Sequence, residues 1–221
     1  MIFKWAIDRE YIVKNPIDKV IKPKKDTKER KTLSKKEFDD LVKLLDAQPL
    51  DGRIMAIYMI MYLGLRRGEA VAVCWDDIDW KDKTVYIRHA FKSADRSVGD
   101  PKTEAGKRIL PLPDKLYDKL KLWKKVVEKE LGETEYVCCN TLGNLLYTES
   151  LYDWWRSFLS RNSLSKIDLH ELRHTNFTFI GRHASLFDLK HFAGWSTLEP
   201  AKRYVHNNQD MLRKAIDDAG L

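Results

Sequence analysis

No charged side chain falls between Ile54 and Leu65, the most apolar stretch of the 221 residues. A helix needs about 20 such residues to cross a bilayer, so this run is too short to be a membrane span. A helix over 52–63 that is uncharged from Ile54 on has to be buried, and the rest of the chain must fold around it. The chain is long enough for that: 221 residues hold one sizeable domain with a real core and room for a small appendage. With 43% hydrophobic and 33% charged residues, it reads as soluble and globular and not as disordered.

The folded body begins sharply. Ser34 and Glu37 form a capping box, in which the hydroxyl accepts from the Glu37 backbone N–H and the carboxylate reaches back. A helix is expected over 35–46, then the buried one over 52–63. Gly64 interrupts the pattern, and a short helix resumes over 68–74. Residues 84–91 alternate like a strand and 108–112 supply another, which together predict a small antiparallel sheet. A long amphipathic helix follows Pro113-Asp114 to about 131. Beyond a turn at Asn140–Asn144, helices are expected at 150–160, 170–182, 186–193, 198–204 and 209–219. Ahead of the body, 3–13 has helical spacing and ends at Asn15-Pro16, where proline discourages continuation. Between them Lys22–Lys31 carries no apolar side chain beyond its proline and reads as a basic linker. The fold class is mainly α with one small antiparallel sheet, without internal repeats or low-complexity tracts.

A formal charge of +7 and a pI of about 9.1 fit a nucleic-acid partner without requiring one. Cys74, Cys138 and Cys139 form neither a disulfide framework nor a CxxC zinc pattern, and are expected as buried reduced thiols. The first fifteen residues are broken by charges every few positions, so they make no signal peptide. The expected location is the cytoplasm, with no membrane partner.

Four segments place polar or cationic groups where a plain core would not: Gly64 to Glu69, Pro101 to Thr103, His170 to His174, and Gly194 to Ser196 with Arg203 to His206. Singly, each has a dull explanation. Two arginines at a helix start are usually solvated surface, and a lysine in a Gly/Pro-rich loop is usually just soluble. A His-Arg pair one turn apart often caps or salt-bridges, and a tyrosine on a late helix usually packs.

Together they resemble the tyrosine recombinase, or phage integrase, family over about residues 31–221. Gly64-Leu65-Arg66-Arg67-Gly68-Glu69 matches its first box, and Lys102-Thr103 with Arg108 to Leu112 matches its strand-turn lysine and following strand. His170-Glu171-Leu172-Arg173-His174 matches H-x-L-R-H, and Ala193 to Ser196 with Tyr204-Val205-His206 matches the last box. The resemblance implies the catalytic-domain fold of DNA breaking-rejoining enzymes over 32–221, preceded in 1–31 by the last helix of a truncated core-binding domain and its linker.

It also implies roles. Arg66 and Arg173 hold the non-bridging oxygens of a DNA phosphate with charge-assisted, fork-shaped hydrogen bonds. Tyr204 is the nucleophile; a phenol, with its pKa near 10, gains from in-line aim and from help with its proton, assigned to His170. Lys102 is the candidate general acid for the leaving 5′-hydroxyl. Trp195 stands where many relatives have histidine; its indole N–H donates but cannot shuttle a proton. Glu69 and His174 are supporting residues. The implied product is a 3′-phosphotyrosyl link resolved by a 5′-hydroxyl, with no cofactor, metal or ATP. The implied partners are double-stranded DNA and further copies of the chain, a tetramer on DNA, with 209–221 packing either onto a neighbour or within its own chain. A phage or mobile element is the implied source of such a recombinase.

Rival readings use the same residues. His170 to His174 also spells H-E-x-x-H, a zinc-peptidase signature with His191 or Glu199 as third ligand, but it leaves Arg66, Lys102 and Tyr204 without jobs. A type IB topoisomerase-like enzyme would use the same groups to relax supercoils. A third possibility is a DNA-binding remnant without catalysis.

Overall fold

In the computed structural model, residues 2–20, 31–205 and 217 are described. The apolar run forms α3 (Gly52–Leu63), buried at every position but Arg53 and Tyr62. Asp51 caps its start, accepting from the backbone N–H groups of Arg53 and Ile54 at 2.9 Å each. Around it pack α4 (Arg67–Val71), α5 (Asp114–Glu130), α6 (Thr148–Arg161) and α7 (Leu169–Ile180). α2 (Lys35–Asp46) adds Phe38, Leu41 and Leu45 to the same core, and its Ser34–Glu37 capping box forms as the sequence requires.

Two small antiparallel sheets lie beside the helices. β1 (Ile78–Asp79), β2 (Thr84–Ile87) and β5 (Arg108–Pro111) form one, in the order β1-β2-β5. Val85 and Leu110 face each other on its buried side, Tyr86 and Ile109 on its exposed side. β3 (Ala90–Lys92) and β4 (Ser97–Gly99) form a separate hairpin packed on α4. The single strand expected over 84–91 is therefore two, in different sheets. The β2–β5 ladder ends at Ile87↔Arg108 and the second ladder starts at Ala90↔Gly99, so Arg88 and His89 carry the switch.

Other expectations also need correcting. The helix expected over 3–13 is α1 (Ile2–Asp8), with Glu10 in the left-handed region at φ 60°, and none of its residues is buried. The helix expected over 68–74 is the shorter α4. The segment expected as a helix over 198–204 holds only a 3-10 turn, Ala201–Arg203. The helix expected over 209–219 and nearly all of the basic stretch lie outside the described residues. By contrast α8 (Leu186–Ala193) has the expected bounds. All three cysteines are free and buried. Among the described residues no helix is long and apolar enough to cross a membrane.

Candidate active site

Two helices end on glycines in the left-handed region, Gly64 after α3 at φ 60° and Gly194 after α8 at φ 65°. Each ending turns the chain out of the core directly into a proposed site segment, Leu65-Arg66 in one case and Trp195 in the other. A helix C-terminus leaves carbonyls unsatisfied, and side chains from α7 meet them. Arg173 donates from Nη1 to the Gly64 carbonyl and from Nη2 to that of Ala193 at 2.8 Å. Asn176 donates from Nδ2 to Met61 and Tyr62 carbonyls at 2.9 and 3.0 Å. The two helix ends are thereby drawn together under one arginine. The carbonyl ends supply partial negative charge that helps a buried cation remain charged.

Glu69, on α4, is the hub of the charged cluster and is only 1% exposed. Its carboxylate takes Arg66 Nη1 at 2.5 Å and Arg108 Nη2 at 3.0 Å, with Arg173 Nη1 at 3.7 Å. Burial works to raise its carboxyl, but Arg108, then Arg173 and Arg66 outweigh that and hold it below the ordinary value. For Arg173 burial dominates and pulls the guanidinium down to about 9, against the upward pull of Glu69; it is charged at neutral pH. Arg66 differs in being 44% exposed at its side chain, so it reaches solvent while tied to Glu69.

Tyr204 closes the 3-10 turn after Pro200 and is partly buried. Its hydroxyl meets Nδ1 of His174, and its ring stacks on the Trp195 indole at 5.7 Å and 15°. Phe177 stands edge-on to both Tyr204 and Trp195, at 5.7 and 4.9 Å. The His170 and His174 rings are 4.6 Å apart. The resemblance assigns help with the phenolic proton to His170; in the structure His174 contacts the hydroxyl and His170 lines the same cavity.

These groups share a cavity of about 160 Å³, lined by Arg66, His170, Arg173, His174, Trp195, Arg203 and Tyr204 among others. A second cavity beside it shares Arg66, His170 and Arg173. A larger, more apolar pocket between α5, the start of α3 and residues 139–147 holds none of the site residues. Lys102 is not on the cavity wall. It is exposed, on the loop between β4 and a 3-10 turn at Glu104–Gly106. That loop lies against the α8 corner: a Cβ on Gly194 would stand 3.1 Å from the Ala105 carbonyl oxygen.

Two further cationic residues belong to this region. Arg203 lines the cavity, and Arg108 is completely buried within the cluster. Sequence reasoning took Arg108 only as part of a strand motif. Alternation would have exposed it, because in β5 positions 108 and 110 face inward together.

The donors do not suit zinc. Glu171, the general base of an H-E-x-x-H peptidase, is turned to the helix start, where it accepts from the Asp168 backbone N–H at 2.7 Å. His174 is in contact with Tyr204. Among the described residues no three His, Cys, Asp or Glu side chains are grouped as metal ligands.

Comparison with known proteins points to one family. A tyrosine recombinase XerC-like protein of Caldanaerobacter subterraneus is 25% identical over 92% of this chain and 59% of its own length. The ICEBs1 integrase of Bacillus subtilis is 27% identical over 98% of this chain and 62% of its own. The chain thus spans about half to three fifths of the length of most such relatives. Among solved structures, the integrase of transposon Tn1549 in complex with a circular intermediate DNA superposes with a TM-score of 0.78 at 18% identity, over 98% of this chain and 75% of that one. Residues 31–211 match the model of the phage integrase family, and the chain belongs to that family.

Proposed function

We propose that this chain binds double-stranded DNA and breaks and rejoins it through Tyr204, as the catalytic part of a site-specific recombinase of a phage or mobile element. One observation carries the reading: three guanidiniums share the single carboxylate of Glu69 beside the Tyr204 hydroxyl. The cluster holds two more positive charges than negative ones, in a place where burial strengthens each interaction. A phosphodiester brings the missing charge, and gains more when attack adds further charge to its oxygens. The Tn1549 integrase, captured on DNA, supports the same partner.

Arg173, fixed by the ends of α3 and α8, holds one non-bridging oxygen, and Arg66, which reaches solvent, holds the other. The Tyr204 oxygen attacks phosphorus and the bond to O5′ breaks, leaving a 3′-phosphotyrosyl link. The phenolic proton passes to the imidazole pair, entering through His174. Lys102, reaching in from its loop, gives a proton to the departing O5′. Trp195 packs against the phenol and offers its N–H to a phosphate oxygen. A 5′-hydroxyl from a partner strand then reverses the chemistry, so bond energy is conserved and no metal takes part. Exchange between two duplexes needs several copies on the DNA, four in the simplest arrangement.

The test is covalent capture on a duplex carrying a nick near the cleavage site, with EDTA present. A protein–DNA adduct stable to denaturant is the expected result. No adduct, or one that chelation abolishes, would overturn the reading.

A further inference from the structure

We propose that Arg108 is a positioning residue that holds the Lys102 loop against the corner from which Tyr204 extends; the inference rests on the roles just given to Tyr204 and Lys102. Its side chain is 0% exposed and takes no part in the cavity wall, yet it carries a full charge. Each of its nitrogens points to a different piece of chain. Nη2 pairs with Glu69 on α4 at 3.0 Å, and Nε donates to the Phe192 carbonyl in the last turn of α8 at 2.9 Å. Nη1 donates to the Gly106 carbonyl at 2.7 Å.

Gly106 closes the turn that starts beside Lys102, its N–H donating to the Thr103 carbonyl at 2.8 Å. A Cβ on Gly106 would stand 2.5 Å from Cβ of Pro101, so the loop folds tightly onto itself. Pinning Gly106 therefore pins the base of Lys102. Glu69 has Arg66 and Arg173 as well, so it keeps cationic partners when Arg108 changes. The loop carbonyl relies on the planar fork, which a single ammonium cannot reproduce towards three acceptors in three directions. The device thus spares the phosphate-binding arginines and acts on the proton donor. A proton donor displaced by an ångström loses much of its effect.

A sulfur leaving group separates these routes. When the bridging O5′ is replaced by sulfur, the P–S bond breaks and a thiolate departs without needing a proton, since thiols ionise far more readily than alcohols. The experiment compares adduct formation on oxygen and sulfur versions of the nicked duplex. Arg108→Lys, which keeps the buried charge, is expected to cleave the oxygen substrate roughly 10²-fold more slowly than the unaltered chain, and the sulfur substrate within about threefold of it, in parallel with Lys102→Ala. Gly106→Ala gives an independent variant. Its new Cβ would stand 2.5 Å from Cβ of Pro101 and displace the Lys102 loop without touching Arg66 or Arg173, and the same rescue is expected.

Full activity of Arg108→Lys on oxygen, or an equal loss on both substrates, would overturn the proposal; the second result would place Arg108 with the phosphate-binding charges. If the unaltered chain forms no adduct on either substrate, the reading of Tyr204 itself has failed, and the two failures are thereby told apart.

Discussion

The arginine half of the site and its tyrosine half rest on different foundations. Arg66, Glu69 and Arg173 sit on the main core, above Leu63, Leu65, Ala70, Val71 and Leu172, all buried. Trp195 and Tyr204 rest on a satellite cluster whose buried members are Phe177, Leu189, Ala193 and Ala201. The first half is a fixed electrostatic floor, over-determined by two helix ends and a buried carboxylate. The second is an arm whose last element among the described residues is one 3-10 turn. Local opening draws on the thinly supported parts of a fold, so the arm can move while the floor stays formed. Chemistry that must aim a nucleophile, then release it to rejoin DNA, suits that division.

The largest expected effect falls on the arm. Tyr204→Phe removes one hydroxyl and should abolish the covalent adduct altogether while leaving the urea midpoint almost unchanged, as gel mobility and denaturation will show. An adduct formed by the Phe variant would move the nucleophile elsewhere.

The floor should respond on two axes. Replacing Arg66 or Arg173 with alanine is expected to slow cleavage by roughly 10²–10³ in either case. Stability should divide them. Arg173→Ala breaks a buried charge pair and uncaps two helix ends, costing about 3–5 kcal/mol, whereas the half-exposed Arg66 costs under about 1 kcal/mol. Equal destabilisation in urea titrations would erase the distinction between a buried floor and its solvent-facing rim.

Acid provides a gentler probe. The Glu69 carboxyl is lowered from its ordinary 4.5 in the folded chain, so its contribution to stability is complete above that pH. It is lost as pH falls through the lower folded value. Glu69→Gln should therefore be the less stable protein at neutral pH but show a flatter stability profile below pH 4.5. Parallel profiles would mean that Glu69 titrates alike in folded and unfolded chains.

The smallest effect is expected for Trp195→His. An aromatic stack contributes about 0.5–1.5 kcal/mol, so cleavage should stay within roughly tenfold of the unaltered rate. Loss beyond a hundredfold would give the indole a larger part than packing and one hydrogen bond.

Much of the fold was legible because its signals were local. The Ser34 capping box and the uncharged run of α3 from Ile54 each carry their own signal. The failures have particular causes. The hairpin of β3 and β4 turns at Arg96, which takes φ 53° without the glycine that marks such turns. The expected strand over 84–91 crosses from one sheet to another, which its alternation does not encode. Over 198–204 the helical spacing predicts a helix, and the chain forms only the 3-10 turn Ala201–Arg203 behind Pro200.

In the site, motifs named Arg66, His170, Arg173, His174, Trp195 and Tyr204, which line one cavity. They did not reveal that Arg108 shares Glu69 with both arginines, because that sharing depends on burial and on chain segments far apart. Nor did they show that His174 meets the phenol.

The central claim is that Arg66, Arg173 and Tyr204 act on one and the same phosphate. It is tested most directly by a duplex whose scissile phosphate alone is replaced by a neutral methylphosphonate. With one anionic oxygen gone, an arginine has less charge to offset, so at least one of Arg66→Ala and Arg173→Ala should lose most of its deficit relative to the unaltered chain. Deficits in both variants that match those on ordinary DNA would contradict the account, placing the arginines at some other phosphate.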